Sequence, residues 1–272
     1  MPFWKVKNKI GIKKFISSIL PPRSKNCNRI LLYHSIGELL ENDRFGLRTS
    51  KEHFKEQMKF LFEDNYEVVS LSELFNKSKN EDYNENKRVV VTFDDGYKDN
   101  LLNAVPILNE YNLKYTLFVS PFFLDNSFSK QGYVNDWKYL DWEDLEYLIN
   151  NGAEIGCHSR YHEDLTTLSE QRLKDNISTA KEILEKRTGQ DIQAFSYPYG
   201  KFSDRVKEVV SNSGFRMACC SIGGSNTSST DVFELRRTEI SKYDSLRDFK
   251  KKLKGRHDWL AWFQMKKFKV HA

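Results

Sequence analysis

The residues best able to do chemistry in this 272-residue chain are two adjacent acids and two histidines four positions apart. Asp94 and Asp95 end the apolar run in VVVTFDDGYKDN, Val89 to Asn100. The valines need no polar partner. Neighbouring carboxylates, however, repel each other and cost desolvation free energy unless a cation lies between them. His158 and His162, in GCHSRYHEDL (156–165), are residues of the type that offers neutral nitrogen to a divalent ion. On a helical turn i and i+4 share a face, so both imidazoles can converge on one ion. Two nitrogens and one carboxylate leave coordination positions open, as a hydrolytic metal requires. One of Asp94 and Asp95 would then ligate while the other takes a proton from bound water. Zn²⁺ suits that donor set, and so do Co²⁺, Mn²⁺ and Ni²⁺.

Such groups must be carried by elements that bring them to one place, and the chain alternates accordingly. RILLYHSI (29–36), YEVVSL, KRVVVTF, KYTLFVS, AEIGCHS, AFSYPYG and FRMACCSI read as strands. Between them lie helical patterns. In 50–65 the residues Phe54, Met58, Leu61 and Phe62 are expected on one face; 141–152 starts at Asp141 and stops at Gly152; 168–189 is capped by Ser169 and ended by Gly189. The stretch 75–87 is polar without apolar periodicity and reads as a surface loop. About seven strand–helix repeats imply a parallel sheet, either a (β/α) barrel, complete or incomplete, or an open doubly wound sheet. Both gather chemistry at the carboxyl ends of the strands, where His34, Asp94, His158 and Pro198 fall.

Composition narrows the functional class. The net charge of +5 conceals seven basic residues and no acid in 1–25, and eight basic residues against Asp258 in 250–272. The middle of the chain is therefore acidic, which argues against a nucleic-acid-binding body. Cys27, Cys157, Cys219 and Cys220 form no CxxC pair and read as reduced thiols, suiting a cytoplasmic setting. Cys157 precedes His158 in a strand, so it points to the opposite face and is a poor ligand. No apolar run is long enough to span a bilayer, and the N-terminus is a poor secretory signal. The expected organisation is a basic amphipathic segment (1–28), the barrel domain (29–250) and a basic aromatic segment (251–272). Together the end segments mix lysines with Trp, Phe, Leu and Ile. They would suit peripheral contact with the inner face of a membrane, or simply packing on the barrel with the lysines outward.

TFDDGY (92–97), HSRYH (158–162) and SYPYGKF (196–202), in that order, resemble the three leading motifs of the polysaccharide deacetylase family, carbohydrate esterase family 4. The resemblance spans about residues 29–240. It implies a distorted (β/α) barrel and metal-dependent removal of N- or O-acetyl groups from sugars. It also implies that Asp94 is the catalytic base, that Asp95, His158 and His162 hold the metal, and that the Tyr199 N–H, after Pro198, stabilises the oxyanion. The chain departs from the commonest family pattern in two places: no late Leu-x-His motif follows Tyr199, and Ser196 stands where motif three usually has arginine. LLYHSI (31–36) instead resembles the circularly permuted branch typified by poly-N-acetylglucosamine deacetylases, which implies His34 as the general acid. FELRRTEIS (233–241) resembles that branch's closing strand, with Arg237 orienting Asp94. Trp142 reads as a wall of the site or as core. The expected substrate is an acetylated sugar or polysaccharide; a catalytically silent carbohydrate-binding relative is the alternative.

Overall fold

Each apolar run is joined to the next by a helix or long loop that returns the chain to the same end, so the strands pair in parallel. The computed structural model describes residues 11–14, 16–19, 28–41, 43, 45–78, 88–125 and 137–270. Its first half runs β1 (Arg29–Tyr33), β2 (Ser35–Ile36), β3 (Arg48–Thr49), α1 (Lys51–Glu63), β4 (Glu67–Val69), α2 (Leu71–Ser78) and β5 (Arg88–Phe93). A π-helical turn, Asn100–Ala104, then leads into α3 (Val105–Glu110), β6 (Thr116–Val119) and α4 (Pro121–Leu124). Next come α5 (Trp142–Asn150), β7 (Glu154–Cys157), α6 (Glu170–Thr188), β8 (Ala194–Ser196) and α7 (Asp204–Asn212). β9 (Met217–Cys219), β10 (Arg237–Glu239), α8 (Leu246–Leu253) and α9 (Ala261–Phe268) complete the order.

The main sheet has the order β10-β1-β5-β6-β7-β8-β9, with β4 on the first half of β5. Its two ends nearly meet. Leu235 donates its N–H to the Ala218 carbonyl at 2.9 Å, and Arg237 donates to Ile222 at 3.0 Å. This is an α/β fold with a nearly closed, incomplete parallel barrel, not an open doubly wound sheet.

Period-two alternation divides the strand residues between two cores. Leu31, Val89, Val91, Leu117, Val119, Cys157, Phe195 and Ala218 face the helices, where they meet Phe54, Met58 and Leu61 of α1. Ile30, Val90, Phe118, Ala194 and Met217 fill the lumen, floored by Leu71 and Leu74 of α2. Phe118 takes so much of that lumen that a Cβ on Gly156 would lie 2.4 Å from its ring. Continuing the inward-facing rows upward from Ile30, Val90 and Gly156 reaches His34, Asp94 and His158. Cys157 lies on the outer face as its position in the strand predicts, and burial pushes its thiol up to about 12.

Local signals set the helix ends. Asp141 and Asp144 form a reciprocal capping box on α5, and Gly189 ends α6 at φ +68°. Three expectations need correcting. Phe62 is 56% exposed, because it lies one residue past the stripe made by Phe54, Met58 and Leu61; Gln57 is buried instead and accepts from the Tyr33 hydroxyl at 2.7 Å. Residues 75–78 belong to α2, whose first N–H groups are capped by Glu154 at 2.7 and 3.0 Å; the rest of the expected loop, 79–87, lies outside the described residues. RILLYHSI is two strands, broken at His34, because β2 leaves the barrel to pair with β3.

The end segments meet. Of residues 1–28, the described residues 11–14 and 16–19 are helical; 1–10 and 20–27, with Cys27, lie outside the description. Lys14 pairs with Asp248 of α8 at 2.6 Å, and the Trp259 indole donates to Ser17 Oγ at 3.1 Å. No helix among the described residues is long and apolar enough to cross a membrane.

Candidate metal centre

Beyond β5 the chain turns abruptly. Asp95 and Gly96 both take left-handed backbone, φ +73° and +71°. Gly96 is required there, since a Cβ would press on Val119 at 3.1 Å in addition to the positive φ. Beyond β7, His158 is tied by its N–H to the Val119 carbonyl at 2.8 Å. His162 returns toward it through a turn in which Ser159 (φ +62°) and His162 (φ +54°) are left-handed and Ser159 Oγ accepts the His162 N–H at 3.1 Å. The four-residue spacing therefore works through a strained turn and not through a helix. Among the described residues six non-glycine positions have positive φ, and Asp95, Ser159, His162 and Tyr199 are four of them. Backbone strain concentrates at this site.

The turns bring three donors together. Asp95 Oδ1 lies 3.3 Å from His158 Nε2 and 3.1 Å from His162 Nε2, and all three ligand atoms fall within 4.8 Å of one another. His158 Nδ1 is 2.7 Å from the Ser196 carbonyl, which can only accept, so the proton sits on Nδ1 and the Nε2 lone pair faces Asp95. A lone pair opposed to a carboxylate oxygen is repulsive unless a proton or a cation lies between them. The residues thus fit a divalent metal: two imidazole nitrogens and a carboxylate oxygen, one histidine fixed by an outer carbonyl. This is a candidate Asp–His–His metal site.

The electrostatics agree. Burial pushes Asp95 up, yet His162 and His158 hold it well below the usual carboxylate range. Burial also pushes His158 down, but Asp94, Asp95 and the Ser196 carbonyl together carry it above the ordinary imidazole value of 6.5. Protons therefore compete with a metal more strongly here than at a free imidazole. Metal affinity should fall as the pH drops through that raised value, and Zn²⁺ binding followed by calorimetry in two buffers of different ionisation enthalpy should show proton release. Affinity independent of pH between about 5 and 8 would contradict the assignment.

Asp94 is held apart from this trio. Arg237 grips it with both arms, Nη1 to Oδ1 at 2.7 Å and Nη2 to Oδ2 at 2.6 Å, and Ser196 Oγ donates to Oδ2 at 3.0 Å. The same Nη2 reaches Ser196 Oγ at 2.9 Å, so the small residue in motif three leaves room for a guanidinium arriving from β10. Asp94 and Arg237 are buried, and Asp94 Oδ2 is 3.9 Å from His158 Nε2. Burial pushes Asp94 up, but Arg237, His158 and His34 outweigh it and leave the carboxyl below its ordinary value. His34, at the break after β1, also acts electrostatically on Asp95.

Tyr199 has φ +59°, and its exposed ring packs on His162 with centroids 4.7 Å apart. The bonds of the turn run from Gly200 to Tyr197 and from Lys201 to Pro198, leaving the Tyr199 N–H out of them. Pro198 is buried beneath. Trp142 packs against the core: its indole donates to Asp125 at 3.0 Å and its ring faces the Arg187 guanidinium at 4.5 Å. Sequence reasoning missed Tyr97 and Tyr139. Burial, followed by the nearby Asp95 carboxylate, raises the Tyr97 pKa well above the ordinary phenol value. The Tyr97 and Tyr139 rings stack at 5.1 Å, and Tyr139 stacks on Phe123 at 4.2 Å. Tyr97 stood in plain view in TFDDGY; Tyr139 carries no periodic signal. A cavity of about 290 Å³ between β10 and the end segments, lined by Lys14, Tyr243, Lys252 and His257, contains none of these residues.

A parallel barrel with an Asp–His–His set at the carboxyl ends of its strands, beside a second carboxylate, is the site architecture of a metal-dependent hydrolase. This chain belongs to the polysaccharide deacetylase family, carbohydrate esterase family 4, whose sequence profile matches residues 81–218, just over half of it. It is 25% identical over 212 residues to YxkH of Bacillus subtilis (strain 168), covering 78% of this chain and 71% of that one. It is 28% identical over 138 residues to the peptidoglycan-N-acetylmuramic acid deacetylase PdaA of the same organism, covering 50% of this chain and 47% of PdaA. Among solved structures, the Streptococcus pyogenes deacetylase PplD in complex with acetate superposes with a TM-score of 0.75 at 21% identity, over 84% of this chain and 98% of that one. This last likeness is one of fold.

Proposed function

We propose that this chain removes acetyl groups, N-acetyl above all, from a bacterial surface polysaccharide or its lipid-linked precursor. The observation that carries the reading is the convergence of Asp95, His158 and His162 beside an Asp94 gripped by Arg237. Asp95, His158 and His162 would hold a divalent metal such as Zn²⁺, which when bound polarises a carbonyl and lowers the pKa of water to near ~7–9. The remaining chemistry belongs to the chain. Asp94, kept ionised by Arg237, is the base that takes the proton of the attacking water. The Tyr199 N–H, aimed by the turn over Pro198, donates to the oxygen that gains negative charge. His34 protonates the departing amine. Its electrostatic influence on both aspartates supports the permuted-branch reading, whereas the late His257 neighbours Lys252 and Asp258 in the separate cavity. Trp142 would stand only as an outer wall. The test is acetate release from N-acetylated and O-acetylated glycans by metal-loaded protein, with and without a chelator. Release that survives complete removal of metal, or silence of the loaded protein on every glycan, would overturn the reading.

The end segments support peripheral contact with an anionic membrane. Trp262 and Phe263 of α9 are 59% and 57% exposed, Lys266 and Lys267 share that helix, and Trp259 links it to the helical residues near Ser17. We expect co-sedimentation with phosphatidylglycerol vesicles at low salt and loss of it in Trp262→Ala/Phe263→Ala. Absence of wild-type binding would remove this part of the proposal.

A further inference from the structure

The two inward imidazoles at the top of the barrel are held in different ways. His158 is fixed through its ring, by the bond from Nδ1 to Ser196. His34 Nδ1 is buried and has no hydrogen-bond partner among the described residues. A ring without that second bond is not oriented by it, so the position of His34 depends on the backbone that carries it.

That backbone is gripped by the segment that follows the two aspartates. The Asp94 N–H donates to the Tyr33 carbonyl at 3.0 Å, and Asn100 Nδ2 donates to the carbonyl of His34 itself at 2.7 Å. Asp99 accepts from the Ile36 N–H at 3.1 Å and from Ser35 Oγ at 2.5 Å. Asn103 Nδ2 donates to the Ile36 carbonyl at 2.8 Å. Arg48 closes the group from β3, its Nε on Ser35 Oγ at 2.7 Å and its Nη2 on Asp99 at 3.3 Å. Residues 99, 100 and 103 share one side of a helical turn, here the π-helical one at Asn100–Ala104. Main-chain or side-chain groups of residues 33 to 36 are thus each met by the same ten-residue stretch that supplies Asp94 and Asp95.

We propose that Asp99, Asn100 and Arg48 are positioning residues that hold His34 in register with the aspartates. The proposal rests on His34 being the general acid. One piece of backbone then supplies the base and a metal ligand, and its side chains set the distance to the acid. Misplacement by about 1 Å at a reacting group costs on the order of 10²-fold in rate.

The experiment compares two acetyl substrates. An amide such as chitotetraose needs its leaving amine protonated, whereas 4-nitrophenyl acetate releases a stable phenolate and needs no acid. For Asp99→Asn and Asn100→Leu we expect kcat on chitotetraose to fall by about 10–10²-fold. Turnover of the aryl ester and the metal content per chain should be nearly unchanged. His34→Ala, run alongside, should show the same selectivity more strongly. Selective loss in His34→Ala without it in the Asp99 and Asn100 variants overturns the positioning role alone. Equal loss on both substrates in those two variants, with metal lost or the fold weakened, overturns it as well, because the residues would then be merely structural. Unselective loss in His34→Ala, or a wild type silent on both substrates, removes the acid assignment and the inference with it.

Discussion

Asp94→Asn should lower acetate release by about 10⁴-fold, the upper end of what a positioned acid or base contributes, while the chain still binds one metal. The separation of roles follows from geometry. Asp95 Oδ1 lies within 3.3 Å of both His158 and His162, whereas Asp94 spends its oxygens on Arg237 and Ser196 and is 3.9 Å from the nearer imidazole. An amide at position 94 can accept from Arg237 but cannot take a proton from water. The substitution also leaves a buried guanidinium without its counter-charge, so stability should drop as well. Rates must therefore be referred to the folded fraction, measured by circular dichroism at the assay temperature. Metal content that vanishes together with activity would show that Asp94 is a ligand and not the base.

Arg237→Leu should be the most destabilising single change at the site. Breaking a buried pair by removing one partner costs about 3–5 kcal/mol, because the other charge stays buried and uncompensated. Urea denaturation would measure it. The pH dependence has a definite sign. The folded-state pKa of Asp94 is depressed, so its contribution to stability is present above the ordinary carboxylate value and is lost as the pH falls through the depressed value. Without Arg237, burial, the largest influence on Asp94, acts with less opposition and moves that pKa upward. The acid limb of the rate profile should shift to higher pH in the variant. Arg237→Lys keeps the charge but loses the two-armed geometry, and should fall between. An unshifted acid limb in Arg237→Leu would mean that Asp94 is not the group whose ionisation governs the rate.

Much of this protein is written locally. The valine run that ends in two acids, the acid at the start of α5 and the glycine after α6 each act through neighbours a few residues away. Alternation along β7 likewise sends Cys157 outward and His158 inward without reference to the rest of the chain. Residue types capable of binding a metal were therefore legible, and so was the strand–helix rhythm that lifts them to one end of a barrel. Their meeting was not. Arg237 reaches Asp94 across 143 positions because the barrel closes β10 against β1, and Ser196 admits it because β8 arrives alongside. His162 approaches His158 through a left-handed turn that helical spacing did not predict, and Tyr139 reaches Tyr97 from a loop with no pattern of its own. Short-range preferences depend on adjacent side chains and are readable in order. Convergence depends on which strands become neighbours and where each one breaks, and only the closed barrel decides that.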